Sequence, residues 1–258
     1  MTNISNNATC AIAVMAKAPQ PGRSKTRLVP PLTPEQAAGL SAAFLRDITE
    51  NMAAASLMAP IHGYIAYAPL GLEALFDGHI ADDTRLVLAD GSPEMSPKVR
   101  GFGRCLLHAV QSLLASGYQS ACVLNSDSPT LPTSILVRTA KLLAQPGDRA
   151  VLGPADDGGY YLLGLKAAHA HMFEDLEWST ESVSEQTAQR AKEIGLELVT
   201  LPRWYDVDDA ASLYRLIDDL EAAPLPGNTA LMPFAAPATA ACIKPLGLDL
   251  NALIEKTA

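Results

Sequence analysis

Two stretches far apart in the chain hold most of the residues that can do chemistry. "MAKAPQPGRSKTRLVPPL", residues 15–32, sets Lys17, Arg23, Lys25 and Arg27 within eleven residues, around Gly22 and among four prolines. "NSDSPTLP", residues 125–132, puts Asp127 directly after the apolar run SACVLN and before Pro129 and Pro132. Prolines stiffen a loop, and glycine lets backbone approach a ligand closely. A stiff cationic loop suits the oxygens of a di- or triphosphate; the bland reading is a solvated basic loop. A carboxylate ending a buried strand needs a partner. A hard cation such as Mg²⁺ takes one or two carboxylates and completes its shell from substrate phosphates. The same aspartate also fits a turn bonded to nearby backbone N–H groups.

Two further acidic stretches lie downstream. "WYDVDDA" (204–210) crowds Asp206, Asp208 and Asp209 before a helix. Asp208 or Asp209 reads as the helix cap, and Asp206 is free to join Asp127 in a metal site. "LGPADDGGYYLLGL" (152–165) offers Asp156 or Asp157 as a base towards an acceptor hydroxyl. Beside them Gly158, Gly159 and Tyr160 are candidates for holding the acceptor. A tight turn with core tyrosines is the structural alternative. His169 and His171 have no further metal ligands close in sequence. There is no Walker A pattern and no GxSxG elbow, which excludes a P-loop NTPase and leaves a hydrolase without support.

The elements that must position these residues follow from hydrophobic period. Strands are expected over 9–15, 61–68, 85–90, the run before Asp127, 149–154, 158–165 and 196–201. Helices are expected over 33–55, 103–116, 132–145, 180–195 and 208–223. Thr33 caps the first of these with Pro34 in its first turn, and Ser179 or Thr180 is the expected cap of the fourth. Near-continuous apolar strands alternating with amphipathic helices imply an α/β fold, a mostly parallel sheet with helices on both faces. Ligands of such sheets bind beyond the carboxyl ends of the strands, where Asp127 lies. Residues 1–222 read as one nucleotide-binding domain and residues 223–258 as an Ala/Pro-rich extension in which LDLNALIEK forms one short helix.

The chain has 258 residues, 48% of them hydrophobic, enough for one sizeable core. A net charge of −9 argues against nucleic-acid binding. No apolar run reaches the roughly 18–20 residues of a membrane span. The N-terminal apolar stretch has no basic residue before it, which argues against a secretory signal. Cys10, Cys105, Cys122 and Cys242 form no CxxC pair. Free thiols and a cytoplasmic location are the expectation.

Taken in order, "MAKAPQPGRSKTRL", "NSDSPTLP", "LGPADDGGYYLLGL", "EWST" and "WYDVDD" resemble the bacterial DUF2064 family, also called rSAM/selenodomain-associated transferase 1. That family lies within the GT-A superfamily of nucleotide-diphospho-sugar transferases, and the resemblance covers about residues 10–220. It implies a Rossmann-like GT-A sheet, a nucleotide-bound donor and Mg²⁺ or Mn²⁺. By the same resemblance Asp127 takes the place of the metal-binding acid, Asp206 or Asp208 that of a late acid, and Lys17, Arg23, Lys25 and Arg27 face phosphate. One departure is Cys105, which stands where the family carries arginine. The activity implied is glycosyl transfer from a nucleotide-diphospho-sugar to a small acceptor, with Asp157 as base. The alternatives are nucleotidyl transfer from an NTP to a phosphorylated small molecule, and an inactive nucleotide-sugar binding protein. The extension is a candidate dimer element.

Overall fold

The computed structural model describes residues 9–221 and 231–246. Seven strands, β1 (Cys10–Ala16), β2 (Ile61–Tyr67), β3 (Arg85–Leu88), β4 (Ser120–Leu124), β5 (Arg149–Pro154), β6 (Tyr160–Leu165) and β7 (Glu197–Thr200), form one sheet in the order β3-β2-β1-β4-β6-β5-β7. Every neighbouring pair is parallel except β4–β6 and β5–β6. This is the α/β, mostly parallel GT-A arrangement expected from sequence. The sequence left the direction of β6 open. Only residues 155–159 separate it from β5, and so short a link permits a hairpin but not a parallel crossover.

The helices are α1 (Pro34–Ser56), α2 (Phe102–Ala115), α3 (Thr133–Leu143), α4 (Val183–Glu193), α5 (Ala210–Glu221) and α6 (Pro237–Ile243). Alternate residues of β1 serve opposite faces of the sheet. Ile12 and Val14 join the core formed with α1, α3 and α5, while Ala11 and Ala13 join the core formed with α2. Thr33 accepts a bond from Gln36 N at 3.2 Å and its own N–H donates to Gln36 Oε1 at 2.8 Å, so the expected cap of α1 is a reciprocal capping box. Among the described residues no helix is long and apolar enough to cross a membrane.

Three expectations need correction. The helix predicted over 180–195 begins only at Val183. Ser179 sits at φ 66, outside helical geometry, and the Thr180 hydroxyl donates to Glu177 O at 2.7 Å, closing a turn instead of capping a helix. The described part of the extension contains α6, which the sequence reading lacked, whereas LDLNALIEK lies outside the described residues. His171, expected to have no further ligand close in sequence, has Glu174 three residues on: its ring nitrogens lie 2.9 Å from Glu174 and 2.8 Å from Glu193.

Asp47 joins α6 to the domain. It is buried on α1 and accepts bonds from Ala238 N at 2.9 Å and Thr239 N at 2.6 Å, two donors of the first turn of α6. Replacing it strands those donors in a buried setting. Asp47→Ala is expected to lower unfolding stability by about 1–3 kcal/mol in urea, and to expose the C-terminal segment to protease before the domain unfolds. The Glu193 and Glu174 carboxylates raise the His171 pKa. Its contribution is therefore complete below the usual histidine value of about 6.5 and fades as pH climbs past the raised one. The stability gap between the native chain and His171→Gln should shrink from pH 6 to pH 9; a gap that widens contradicts the assignment.

Candidate functional site

The loop after β1 is held by its own hydrogen bonds. Gln20 O accepts from Arg23 N at 3.0 Å and Ser24 N at 3.1 Å, and the buried Ser24 hydroxyl donates to Ala18 O at 3.3 Å. The next residue, Lys25, adopts the left-handed φ of 49. Its side chain is 7% exposed, and the ammonium reaches Asp127 Oδ1 at 2.6 Å, Val207 O at 2.6 Å and Asp208 Oδ1 at 3.4 Å. The ammonium also lies 5.2 Å from the centre of the Phe44 ring on α1. Arg27 comes within 3.7 Å of Asp208 and is otherwise exposed. Lys17 and Arg23 are exposed, without an ion-pair partner among the described residues. All four cations line one cleft of about 720 Å³ over the carboxyl ends of the strands.

Asp127 follows β4, as the sequence indicated. The strand-like segment carrying the late acids is bonded directly to its loop. Val207 N donates to Asp127 O at 2.8 Å, the Ser128 hydroxyl to Tyr205 O at 2.8 Å, and the Thr130 hydroxyl to the Tyr205 phenol at 3.3 Å. Asp206 has no ion-pair partner among the described residues. Burial, then Asp157, Asp208 and Asp127, push its carboxyl up to about 7. Burial and Asp127 raise Asp208 as well, against the opposing pull of Lys25 and Arg27. The cap of α5 is Asp209, whose carboxylate accepts from Ser212 N at 2.8 Å and is held below the usual range by that bond. Asp208 is thereby left to the cleft.

The hairpin turn between β5 and β6 separates its two acids. Asp157 lines the cleft, with Oδ1 accepting from Gly159 N at 2.8 Å. Asp156 turns the other way, onto Arg215 of α5 at 2.9 Å. Tyr160 is not among the cleft-lining residues; its phenol is buried without a partner, and its ring meets the edge of Trp178. Of the residues proposed from sequence for the acceptor, Asp156, Gly158, Gly159 and Tyr160, none lines the cleft. Gly158 serves by contact: at φ 90, a Cβ there would lie 1.9 Å from Glu181 O. That contact seats Ser179, Thr180 and Glu181 in the cleft wall, where sequence reasoning had not put them. Trp178 fixes the same segment to α2, edge-on to Phe102 and against Gly103, where a Cβ would come within 2.8 Å of its ring. Phe102 and Cys105 complete that wall.

Among the described residues no group of three His, Cys, Asp or Glu side chains is arranged to hold a metal ion. The donor chemistry nevertheless suits a hard cation of modest demand. Lys25 engages Asp127 and Asp208 through their Oδ1 atoms, which leaves Asp127 Oδ2 to a second cation, Asp206 stands beside them, and every donor is oxygen. Mg²⁺ and Mn²⁺ bind such sites through one or two carboxylates, with substrate phosphate and water filling the shell.

The sequence profile of DUF2064, described as an uncharacterized protein conserved in bacteria, matches residues 51–180. No curated protein matches. A crystal structure of a candidate nucleotide-diphospho-sugar transferase from Desulfovibrio desulfuricans G20 superposes with a TM-score of 0.74 at 24% identity, covering 97% of this chain and 98% of that one. A CMP:2-keto-3-deoxy-manno-octonic acid synthetase complexed with CTP aligns at TM-score 0.49 and 12% identity over 81% of this chain and 96% of that one. The 4-diphosphocytidyl-2C-methyl-D-erythritol synthase of Anaerococcus prevotii aligns at 0.48 and 10% over 86% and 100%. The first of these likenesses establishes the shared fold.

Gly158→Ala tests the contact that builds the hairpin side of the cleft. It is expected to destabilise the protein by about 2 kcal/mol or more, because the new Cβ meets backbone at a left-handed φ. Gly195→Ala has φ 66 but nothing within 4 Å of its Cβ, so it should cost less; equal losses in thermal melts would refute the contact.

Proposed function

The chain belongs to the DUF2064 family, and on that premise we propose that the cleft binds a nucleotide-diphospho-sugar and transfers its sugar to a small acceptor. One observation carries the reading: a buried lysine gathers the acids that follow β4 and precede α5 beside a loop whose Lys17 and Arg23 have no ion-pair partner among the described residues. The family description names no activity, and the Desulfovibrio protein of the same fold is described as a nucleotide-diphospho-sugar transferase.

Each residue then has a role. Lys17, Arg23 and Arg27 take the diphosphate oxygens, where charge grows as the sugar departs. Lys25 holds Asp127 and Asp208 in place and adds its own positive charge below the phosphates. Asp127 and Asp208, with Asp206 beside them, hold Mg²⁺ or Mn²⁺, which when bound neutralises charge on the leaving diphosphate. Asp157 accepts the acceptor hydroxyl proton at Oδ2, its Oδ1 being engaged by Gly159 N. Phe102 lines the wall that carries Ser179, Thr180 and Glu181, edge-on to Trp178. The partners of the protein are then a nucleotide-activated donor and a small acceptor.

The density of cations in the first loop also favours a second reading, attack on the α-phosphate of an NTP with release of pyrophosphate. Incubation with NTPs or nucleotide sugars, Mg²⁺ and a cell extract separates the two, because free NDP marks the first and pyrophosphate the second. Stabilisation by ligand with neither product marks a binding protein without activity.

Asp127→Ala is expected to abolish the Mg²⁺-dependent part of the nucleotide-induced rise in Tm while the fold stays intact by circular dichroism. Arg23→Ala breaks no ion pair of the structure, so it should leave Tm unchanged and weaken nucleotide binding tenfold to a hundredfold, the usual range for one charge-assisted hydrogen bond. Unaltered nucleotide binding in both variants would remove the site from this cleft.

A further inference from the structure

The cleft is polarised along the sheet. All four of its cations come from the single loop after β1. At the other end, beyond β4, the wall is built by the β5–β6 turn and the 179–181 segment, which supply Asp157 and Glu181. Gly158 packs flush against the Glu181 backbone, and Gly158 O accepts from Ser184 N at 2.9 Å, so the two acids are fixed in one surface. Neither Asp157 nor Glu181 has an ion-pair partner among the described residues. Of the two cations bonded to this turn, Arg215 is taken by Asp156 and stacks 3.9 Å over the Tyr205 ring, and Arg203 donates to Ala155 O at 2.9 Å. Ser179 and Thr180 line the same wall, and the Thr180 hydroxyl is bonded to Glu177 O at 2.7 Å.

We propose that this end of the cleft selects an acceptor that carries hydroxyl groups and no anionic group, with a protonated amine as its preferred substituent. The inference rests on the reading of the cleft as a transferase site and adds the class of acceptor. A diphosphate donor satisfies the cations of the first loop and leaves none for a second phosphate. A phosphorylated or carboxylated acceptor would then set its charge against two carboxylates that have no ion-pair partner among the described residues. A hydroxyl group instead offers Asp157 a proton to accept, and an ammonium group offers Glu181 a counterion. The transfer balances simply. The acceptor oxygen bonds to the anomeric carbon, the bond from that carbon to the diphosphate oxygen breaks, the electron pair leaves with the NDP, and the hydroxyl proton passes to Asp157.

The test uses the full chain with Mg²⁺ and three matched probes: glucosamine, glucose and glucose 6-phosphate. Binding is followed by ligand-observed NMR, with and without saturating UDP or GDP. The expected order is glucosamine, then glucose, then glucose 6-phosphate, with at least a tenfold span between first and last in the presence of nucleotide. Glu181→Lys should erase or invert that order, and Glu181→Gln should remove the preference for the amine alone. Equal or tighter binding of glucose 6-phosphate by the native chain overturns the inference, and so does failure of all three probes to bind beside a bound nucleotide. The parent reading fails separately, if neither UDP nor GDP raises Tm while the probes keep their order.

Discussion

Lys25 carries its stem past Phe44 and places a nearly buried ammonium between two acids that are 81 residues apart in the chain, Asp127 and Asp208. A buried ion pair is weak evidence of stability, because desolvation offsets much of the attraction. Breaking one is a different matter, since the charge left behind has no water to replace its partner. The cluster is unbalanced even when intact. Asp206 sits beside it without an ion-pair partner among the described residues, raised to about 7 by burial and by Asp157, Asp208 and Asp127. An arrangement that keeps an excess of carboxylate next to the unpaired Lys17 and Arg23 suits a ligand that brings both signs, such as a phosphate with its metal.

The acids are held in register by backbone. Val207 N on Asp127 O, Asp156 N on Trp204 O at 3.0 Å and Ser128 on Tyr205 O make the segment before α5 an irregular extra strand between the Asp127 loop and the hairpin. The Tyr205 ring carries Arg215, which in turn pins Asp156. Asp156 therefore belongs to the scaffold, and its neighbour Asp157 is the one presented to the cleft. The C-terminal extension contributes as well, because Phe234 N bonds to Thr130 O at 3.0 Å, on the loop that begins with Asp127. Residues 231–246 therefore brace the site, whatever else the extension does.

Much of this was legible in the sequence because the signals were local. Continuous apolar strands gave the parallel sheet, and Asp127 stood out because prolines stop the strand at its carboxyl end. The cationic loop was visible as density of charge in an acidic chain. Signals that depend on tertiary contact were not legible. Asp208 and Asp209 read alike as helix caps until Ser212 N chose Asp209. Asp156 and Asp157 read alike as bases until Arg215 claimed the first. Glu181 lay in a segment read as helix, and only its contact with Gly158 brings it to the cleft. The seven-residue α6 escaped notice because a short Ala-rich stretch has little period of its own, and the bonds at its start come from Asp47 on a distant helix.

The direction of one strand decides what the site can contain. Were β6 parallel to β4, its entry would lie at the amino edge of the sheet, and the link from β5 would have to cross the sheet instead of turning back at the rim where Asp127 lies. Running antiparallel to both neighbours, it brings the 155–159 turn to the same rim as the ends of β1 and β4. Gly153 makes room for this, since a Cβ there would meet the Tyr161 ring at 2.3 Å, and the Tyr161 phenol bonds to Pro202 O at 2.8 Å on the way to the late acids. One reversed strand thus adds an acidic wall to a rim that parallel strands alone would furnish with the cationic loop and Asp127. The cleft gains two chemically different ends, one matched to phosphate and the other to a group that gives up a proton.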